Sequence, residues 1–149
     1  MRISDCMKKN VFSIPATATV RDAVQLFVSH HIGLLPVLNP DNHPVGVVGL
    51  LDLLELALPA AIHMLEDVDF IGDFGALETY RPPEEVLAQP ITRLMRPGTV
   101  VRADSGLVRA YALMLQHKLH DLPVVDAEGR LIGIASRVDI GTLILSGWL

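Results

Sequence analysis

The chain has 149 residues, half of them hydrophobic, and a net charge of −5 at pH 7. A domain near this size buries roughly 68–70% of its unfolded surface, enough for one ordinary core. The acidic balance argues against a nucleic-acid phosphate surface, which needs a basic patch, and the richest apolar run, Leu50 to Leu65, is broken by Asp52, Glu55 and Pro59, so no membrane span is expected.

Ile3 to Met7 reads as a short helical lead-in, with no signal-peptide apolar region before it. Val11 to Ile14 is expected to form a strand ended by Pro15. Thr19 followed by Asp22 has the spacing of a capping box. Val20, Ala23, Val24 and Phe27 recur at helical spacing, so an amphipathic helix is expected over Val20 to His31, stopped by Gly33. Leu34 to Leu38 and Val45 to Leu51 then read as a hairpin across the turn at 39–43, and Asp52 opens a helix towards Leu58.

The segment from Pro59 to Pro90 differs in composition. Seven carboxylates stand there against Arg81 alone, so it holds more than the whole chain's net negative charge. Interleaved apolar residues such as Met64, Val68, Phe70 and Phe74 argue for a packed, partly helical insert. Its acidic face reads either as a solvated surface or as a docking surface for a basic partner. A short helix at Glu84 to Ala88 is expected after Pro82 and Pro83.

From Ile91 the order of elements repeats. Ile91 to Met95 is a second lead-in, Thr99 to Arg102 a strand, and Leu107, Ala110, Tyr111, Met114 and Leu115 a helical stripe. Leu122 to Val125 and Leu131 to Ala135 form a second hairpin, and a last helix runs from Arg137 towards Leu145. The match is a duplication. Pro36 and Pro123 are 87 positions apart, as are Asp52 and Asp139, while Met7 and Met95 are 88 apart. The chain divides into residues 1–58, an insert at 59–90, and residues 91–149. Each copy is β-α-β-β-α, giving an α/β (α+β) fold whose open sheets cover each other about a pseudo-twofold axis.

The functional signal sits where the last strand of each copy meets its last helix. Ser136 and Asp139 bring a hydroxyl, a carboxylate and the free N–H groups of a helix start around one small space. An ionised carboxylate only accepts, which suits a vicinal diol such as a ribose edge. The helix N-terminus and Arg137 suit an anion such as a phosphate. The competing reading is purely local: Ser136 caps the helix and Asp139 complements its dipole.

The paired Leu-Pro-Val motifs at 35–37 and 122–124, with the Gly-h-h-[Ser/Thr]-x-x-Asp pattern ending at Asp52 and Asp139, resemble the cystathionine-β-synthase (CBS) domain. The two copies together resemble a free-standing tandem CBS pair, a Bateman module. The resemblance implies a regulatory module that binds AMP, ADP, ATP or S-adenosylmethionine between the repeats, with no cofactor required. It implies that Asp139 accepts the ribose hydroxyls, Ser136 bonds the ribose or phosphate and Arg137 reaches a phosphate. His120, Asp121, Leu122 and Pro123 would frame the adenine, with Thr99, Val100 and Val101 as the other wall. In the first copy Asp52 keeps the ribose position, Ile32, Leu34, Leu35 and Pro36 line the base, and Val11, Phe12 and Ser13 form the wall. Gly49 stands where Ser136 does and Leu50 where Arg137 does. The second cleft is therefore expected to be the main nucleotide site, the first having lost a hydroxyl and a positive charge.

Six histidines raise a metal site, but a structural or catalytic metal needs three or four supported ligands and no cysteine pair helps, so none is expected. Catalysis is not expected either, because Ser136 has no histidine partner at motif spacing and no phosphate loop occurs. Cys6 is the only cysteine, so no internal disulfide can form, and a cytoplasmic location is expected. The alternative function is an interaction module with degenerate clefts. The apolar helices at Leu53 to Leu58 and Ile140 to Leu145 would lie exposed in a single module, so a homodimer through them is expected, signalling to an unknown regulated protein.

Overall fold

The computed structural model describes residues 1–57 and 81–149; the expectations for the acidic insert as far as residue 80, and for Leu58, lie outside them. The first repeat contains β1 (Ile14–Pro15), α1 (Val20–His30), β2 (Leu34–Leu38), β3 (Pro44–Gly49) and α2 (Leu50–Leu54). A short α3 (Glu84–Leu87) precedes the second repeat, made of β4 (Val101–Arg102), α4 (Leu107–His117), β5 (Asp121–Val125), β6 (Leu131–Ser136) and α5 (Arg137–Ser146). A 3-10 turn stands before each repeat, at Ile3–Asp5 and Ile91–Arg93.

Each repeat forms one three-stranded sheet, ordered β1-β2-β3 and β4-β5-β6. The outer short strand is parallel to the central strand and the hairpin strand antiparallel to it. Thr19 caps α1 as its spacing predicts: its hydroxyl accepts from Asp22 N, and the Asp22 carboxylate accepts from Thr19 N at 2.9 Å. Val20, Ala23 and Phe27 form the buried stripe of α1, and Leu107, Ala110 and Met114 that of α4.

Several boundaries differ from the sequence reading. The strands β1 and β4 are two residues each, because the chain pairs with the central strand only at Ile14–Pro15 and Val101–Arg102. Helix α1 ends in a left-handed residue that is not Gly33 but His31, with φ 52° and ψ 49°, and Lys118 does the same after α4. Helix α2 begins at Leu50 and ends at Leu54, short of Leu58.

Pro36 and Pro123 sit in central strands, where a missing N–H normally breaks the ladder. Here Pro36 lies opposite Val47, one residue before pairing with β1 starts at Val37. Val47 turns its own N–H and carbonyl outward, to Arg96, so Pro36 faces the side that β1 has not yet reached. Pro123 opposite Ile134 repeats this arrangement, with Lys8 in the place of Arg96.

The lead-ins are exchanged between repeats. Ile3, fully buried, packs with Val101, Leu107, Met114, Leu122 and Ile140 of the second repeat. Ile91, also fully buried, packs with Ile14, Phe27, Leu35 and Val48 of the first. Backbone bonds follow the same rule: Lys8 and Ile134 exchange two, at 2.8 and 3.0 Å, and Arg96 and Val47 exchange two at 2.9 Å. Each lead-in thus closes the free edge of the other repeat's hairpin. Each core takes one of its largest buried side chains from the lead-in of the other repeat.

Candidate functional site

In the second repeat, Ser136 ends β6 and caps α5. The Asp139 carboxylate turns back on it, Oδ2 accepting from Ser136 N at 2.9 Å and from Ser136 Oγ at 2.8 Å, while Ser136 Oγ accepts from Asp139 N at 3.1 Å. The local capping reading is therefore realised in full. It engages only one of the two carboxylate oxygens. Oδ1 faces the Lys8 ammonium at 3.6 Å, and the Asp139 side chain keeps 16% of its exposure. Asp139 lines an open groove of about 340 Å³, with Asp5 and Cys6 on one side and Val138, Thr142, Leu143 and Ser146 on the other.

Asp121 joins this site through the sheet: it is the register partner of Ser136. Burial pushes its carboxyl above the usual range; the His120 and Lys8 charges oppose that and Asp139 reinforces it. Burial likewise raises the Cys6 thiol, with Asp139 and Asp5 adding to it.

In the first repeat, Asp52 repeats the turn. Its Oδ2 accepts from Gly49 N at 2.7 Å, but Gly49 has no side chain to return the bond. Arg96 Nε lies 2.9 Å from both Asp52 oxygens. The positive charge missing at Leu50 is thus supplied from another element, by the lead-in of the second repeat. Leu34 faces Gly49 in the register position that Asp121 holds in the second repeat.

The anion donors expected around Arg137 are largely engaged within the protein. Arg137 N donates to His120 O at 3.0 Å, and its guanidinium Nε donates to Leu119 O at 2.6 Å. With Asp139 N held by Ser136, the Val138 N–H is the donor of the first turn of α5 left for a phosphate, beside the terminal nitrogens of Arg137. Arg137 is pinned to the loop before β5.

The structure brings together Ser136, Asp139 and Asp121, and in the first repeat Asp52 and Leu34. It does not bring the remaining predicted residues onto these carboxylates. The side chains of Leu122, Val101 and Leu35 are buried in the two cores. Pro36 and Pro123 are buried as well, and Val100 and His120 are exposed. Thr99, Val11 and Ser13 are half-buried, with no described hydrogen bond to either acid. Phe12 stacks on the His30 ring at 3.8 Å and, with Ile32, packs against the first core. A second open groove, about 460 Å³, runs along α1 past Pro15, Asp22, Gln25 and Ser29 and holds none of the predicted residues. Among the described residues no three His, Cys, Asp or Glu side chains gather as metal ligands.

Lys8 and Arg96 are the site residues that motif reading missed. They stand 88 positions apart, immediately after the paired methionines, so the duplication itself marks them. What the pattern lacks is the exchange that delivers each to the other repeat's acid.

The fold and these paired turns define a tandem CBS module, and the family model for the CBS domain matches residues 3–58 and 91–145. The chain belongs to the CBS-domain family, with two copies. It is 30% identical over 138 residues to the chloroplastic CBS domain-containing protein CBSX1 of Arabidopsis thaliana, covering 89% of this chain and 58% of that protein. The chain thus spans less than two thirds of the length of this plant relative. It is also 30% identical over 151 residues to protein MJ1426 of Methanocaldococcus jannaschii, covering 94% of this chain and 89% of that one. Among solved structures, Arabidopsis CBSX2 in complex with AMP superposes with a TM-score of 0.72 at 30% identity, covering 99% of this chain and 98% of that one.

Proposed function

We propose that this chain is a regulatory module that senses an adenosine-containing ligand between its two CBS repeats and passes the signal to a partner protein. The observation that carries the reading is Asp139. Asp139 lines an open groove, and its cap to Ser136 engages Oδ2 while Oδ1 faces the exposed Lys8 ammonium, which a ribose diol could replace. The AMP held by the similar CBSX2 structure supports the ligand class, AMP, ADP, ATP and S-adenosylmethionine being the range considered. The second cleft is the main site in this reading, since Arg96 occupies both oxygens of Asp52 in the first. The module acts by binding, not catalysis, and requires no bound cofactor. A cytoplasmic setting suits its single free cysteine.

Thermal melting against adenosine, AMP, ADP, ATP and S-adenosylmethionine tests this. A ligand at 100 times its dissociation constant stabilises by about 2.7 kcal/mol. At roughly 2–4 °C per kcal/mol for a chain of this size, the melting temperature should rise by about 5–11 °C. No shift with any of them would favour a module that binds only protein, a reading to which the clamped Asp52 lends support.

The same reading includes a homodimer. Leu51 of α2 and Val138 of α5 are 73% and 74% exposed, and Leu54 and Leu145 extend these apolar faces. Ile140, expected at the interface, instead lies in the second core. Sedimentation at micromolar concentration should show a dimer; a monomer would contradict the pairing.

A further inference from the structure

We propose that the second cleft selects adenosine ligands whose 5′ end is uncharged or cationic, and that Asp121 is the residue that turns phosphates away. The proposal rests on the adenosine reading of the Asp139 site and narrows it. Three observations support it independently of one another. Three of the donors that would hold a phosphate are already engaged, Arg137 N by His120 O, Arg137 Nε by Leu119 O and Asp139 N by Ser136 Oγ, which leaves the terminal guanidinium nitrogens of Arg137 and the Val138 N–H. A second carboxylate, Asp121, stands at the start of β5 directly across from Ser136. The Lys8 ammonium sits on Asp139 itself and is 65% exposed, so water and salt weaken what it can offer an anion.

The first repeat gives the internal contrast. Leu34, not a carboxylate, occupies the position of Asp121, and Arg96 brings a guanidinium to the acid. Asp121 in place of Leu34 therefore puts a negative charge at this register position of the second cleft, while the acid is kept and the turn exchanges Gly49 and Leu50 for Ser136 and Arg137. A dianionic phosphate placed about 7 Å from Asp121 would meet a repulsion worth about tenfold in affinity in a water-like dielectric at low salt. A sulfonium or a bare 5′-hydroxyl does not meet it.

The test is isothermal titration of adenosine, AMP and S-adenosylmethionine into the full chain carrying Asp52→Ala and Arg96→Gln, which removes the first acid and the guanidinium clamped on it, with and without Asp121→Asn. In the protein without Asp121→Asn, AMP should bind about tenfold more weakly than adenosine, and S-adenosylmethionine at least as well as adenosine. Asp121→Asn should close the gap between AMP and adenosine while leaving adenosine within about twofold. Raising sodium chloride from 50 to 500 mM should narrow the same gap without the Asp121 substitution. Equal binding of AMP and adenosine, or an equal effect of Asp121→Asn on both, would overturn the charge selection while leaving the adenosine site intact. Failure of all three ligands to bind would overturn the adenosine reading itself, and this proposal with it.

Discussion

Gly46 and Gly133 are where the exchanged lead-ins press on the hairpins, and Gly46→Ala is the sharpest probe of that contact. A Cβ at Gly46 would lie 2.3 Å from Met95 Cγ, 2.6 Å from Met95 Sδ and 2.8 Å from Arg96 O. The methionine side chain can swing aside. The carbonyl cannot, because Arg96 and Val47 hold each other by two backbone bonds. Gly46 is not among the residues of positive φ, so the cost is steric and not conformational. Forcing a methyl group into such a site typically costs about 1–3 kcal/mol. At roughly 2–4 °C per kcal/mol, the melting temperature should fall by about 2–12 °C. Calorimetric melting of Gly46→Ala, with Gly46→Ala/Met95→Ala beside it, separates the two contributions. The double variant should recover only part of the loss, since the Arg96 carbonyl stays in place. A melting temperature unchanged by Gly46→Ala would mean that the second lead-in does not lie on β3, and the shared-core description would fail.

The other predictions use the same melting assay. Gly141→Ala should raise the melting temperature, because nothing lies within 4 Å of the new Cβ and alanine gains about 1 kcal/mol over glycine inside a helix; a loss would show that α5 packs differently. Ser136→Ala removes the hydroxyl that caps α5 and should cost about 1 kcal/mol, the typical value for an N-cap; no cost would mean that the cap is replaced by water. Asp121→Asn should raise stability at neutral pH. The folded state holds the Asp121 proton more tightly than the unfolded chain, so the wild type loses stability as pH rises from the unfolded to the folded pKa. The advantage of the variant should therefore shrink as pH falls from the raised folded pKa to the ordinary aspartate value, and a constant advantage at every pH would contradict that origin.

The repeat was legible because duplication leaves a constant offset, and hydrophobic period then gave each element its type. Helices α1 and α4 could be read from Val20, Ala23 and Phe27 and from Leu107, Ala110 and Met114, since one buried stripe fixes a 3.6-residue period. Their ends were less legible. The pattern points to Gly33 as the stop, yet His31 and Lys118 take the left-handed turn, a conformation that non-glycine residues adopt where the surrounding packing holds them. The exchange of lead-ins was not legible at all. Ile3 and Ile91 announce that they are buried, but a burial pattern carries no address, and a lead-in on its own sheet would have the same sequence as one on its partner's.

The site was half legible for a related reason. The spacing of Ser136 and Asp139 fits a helix cap and a sugar acceptor equally well, and the structure shows the first while leaving one oxygen for the second. Arg137 reads as a phosphate ligand because a sequence displays its charge and not its acceptor; the Leu119 carbonyl takes its Nε instead. The first cleft reads as stripped of charge because Leu50 replaces that arginine, whereas Arg96 arrives from 44 residues away. The resemblance places Asp121 in an adenine frame, while its register with Ser136 and its partial burial make it an electrostatic neighbour of Asp139.

The most direct measurement is calorimetric titration of adenosine into the wild-type chain and into Asp139→Ala, with circular dichroism confirming that the variant stays folded. Saturable binding to the wild type, weakened at least tenfold by Asp139→Ala and little by Asp52→Ala, is the predicted result. Equal affinity in the wild type and in Asp139→Ala would contradict the account, because the carboxylate would then serve as a helix cap alone.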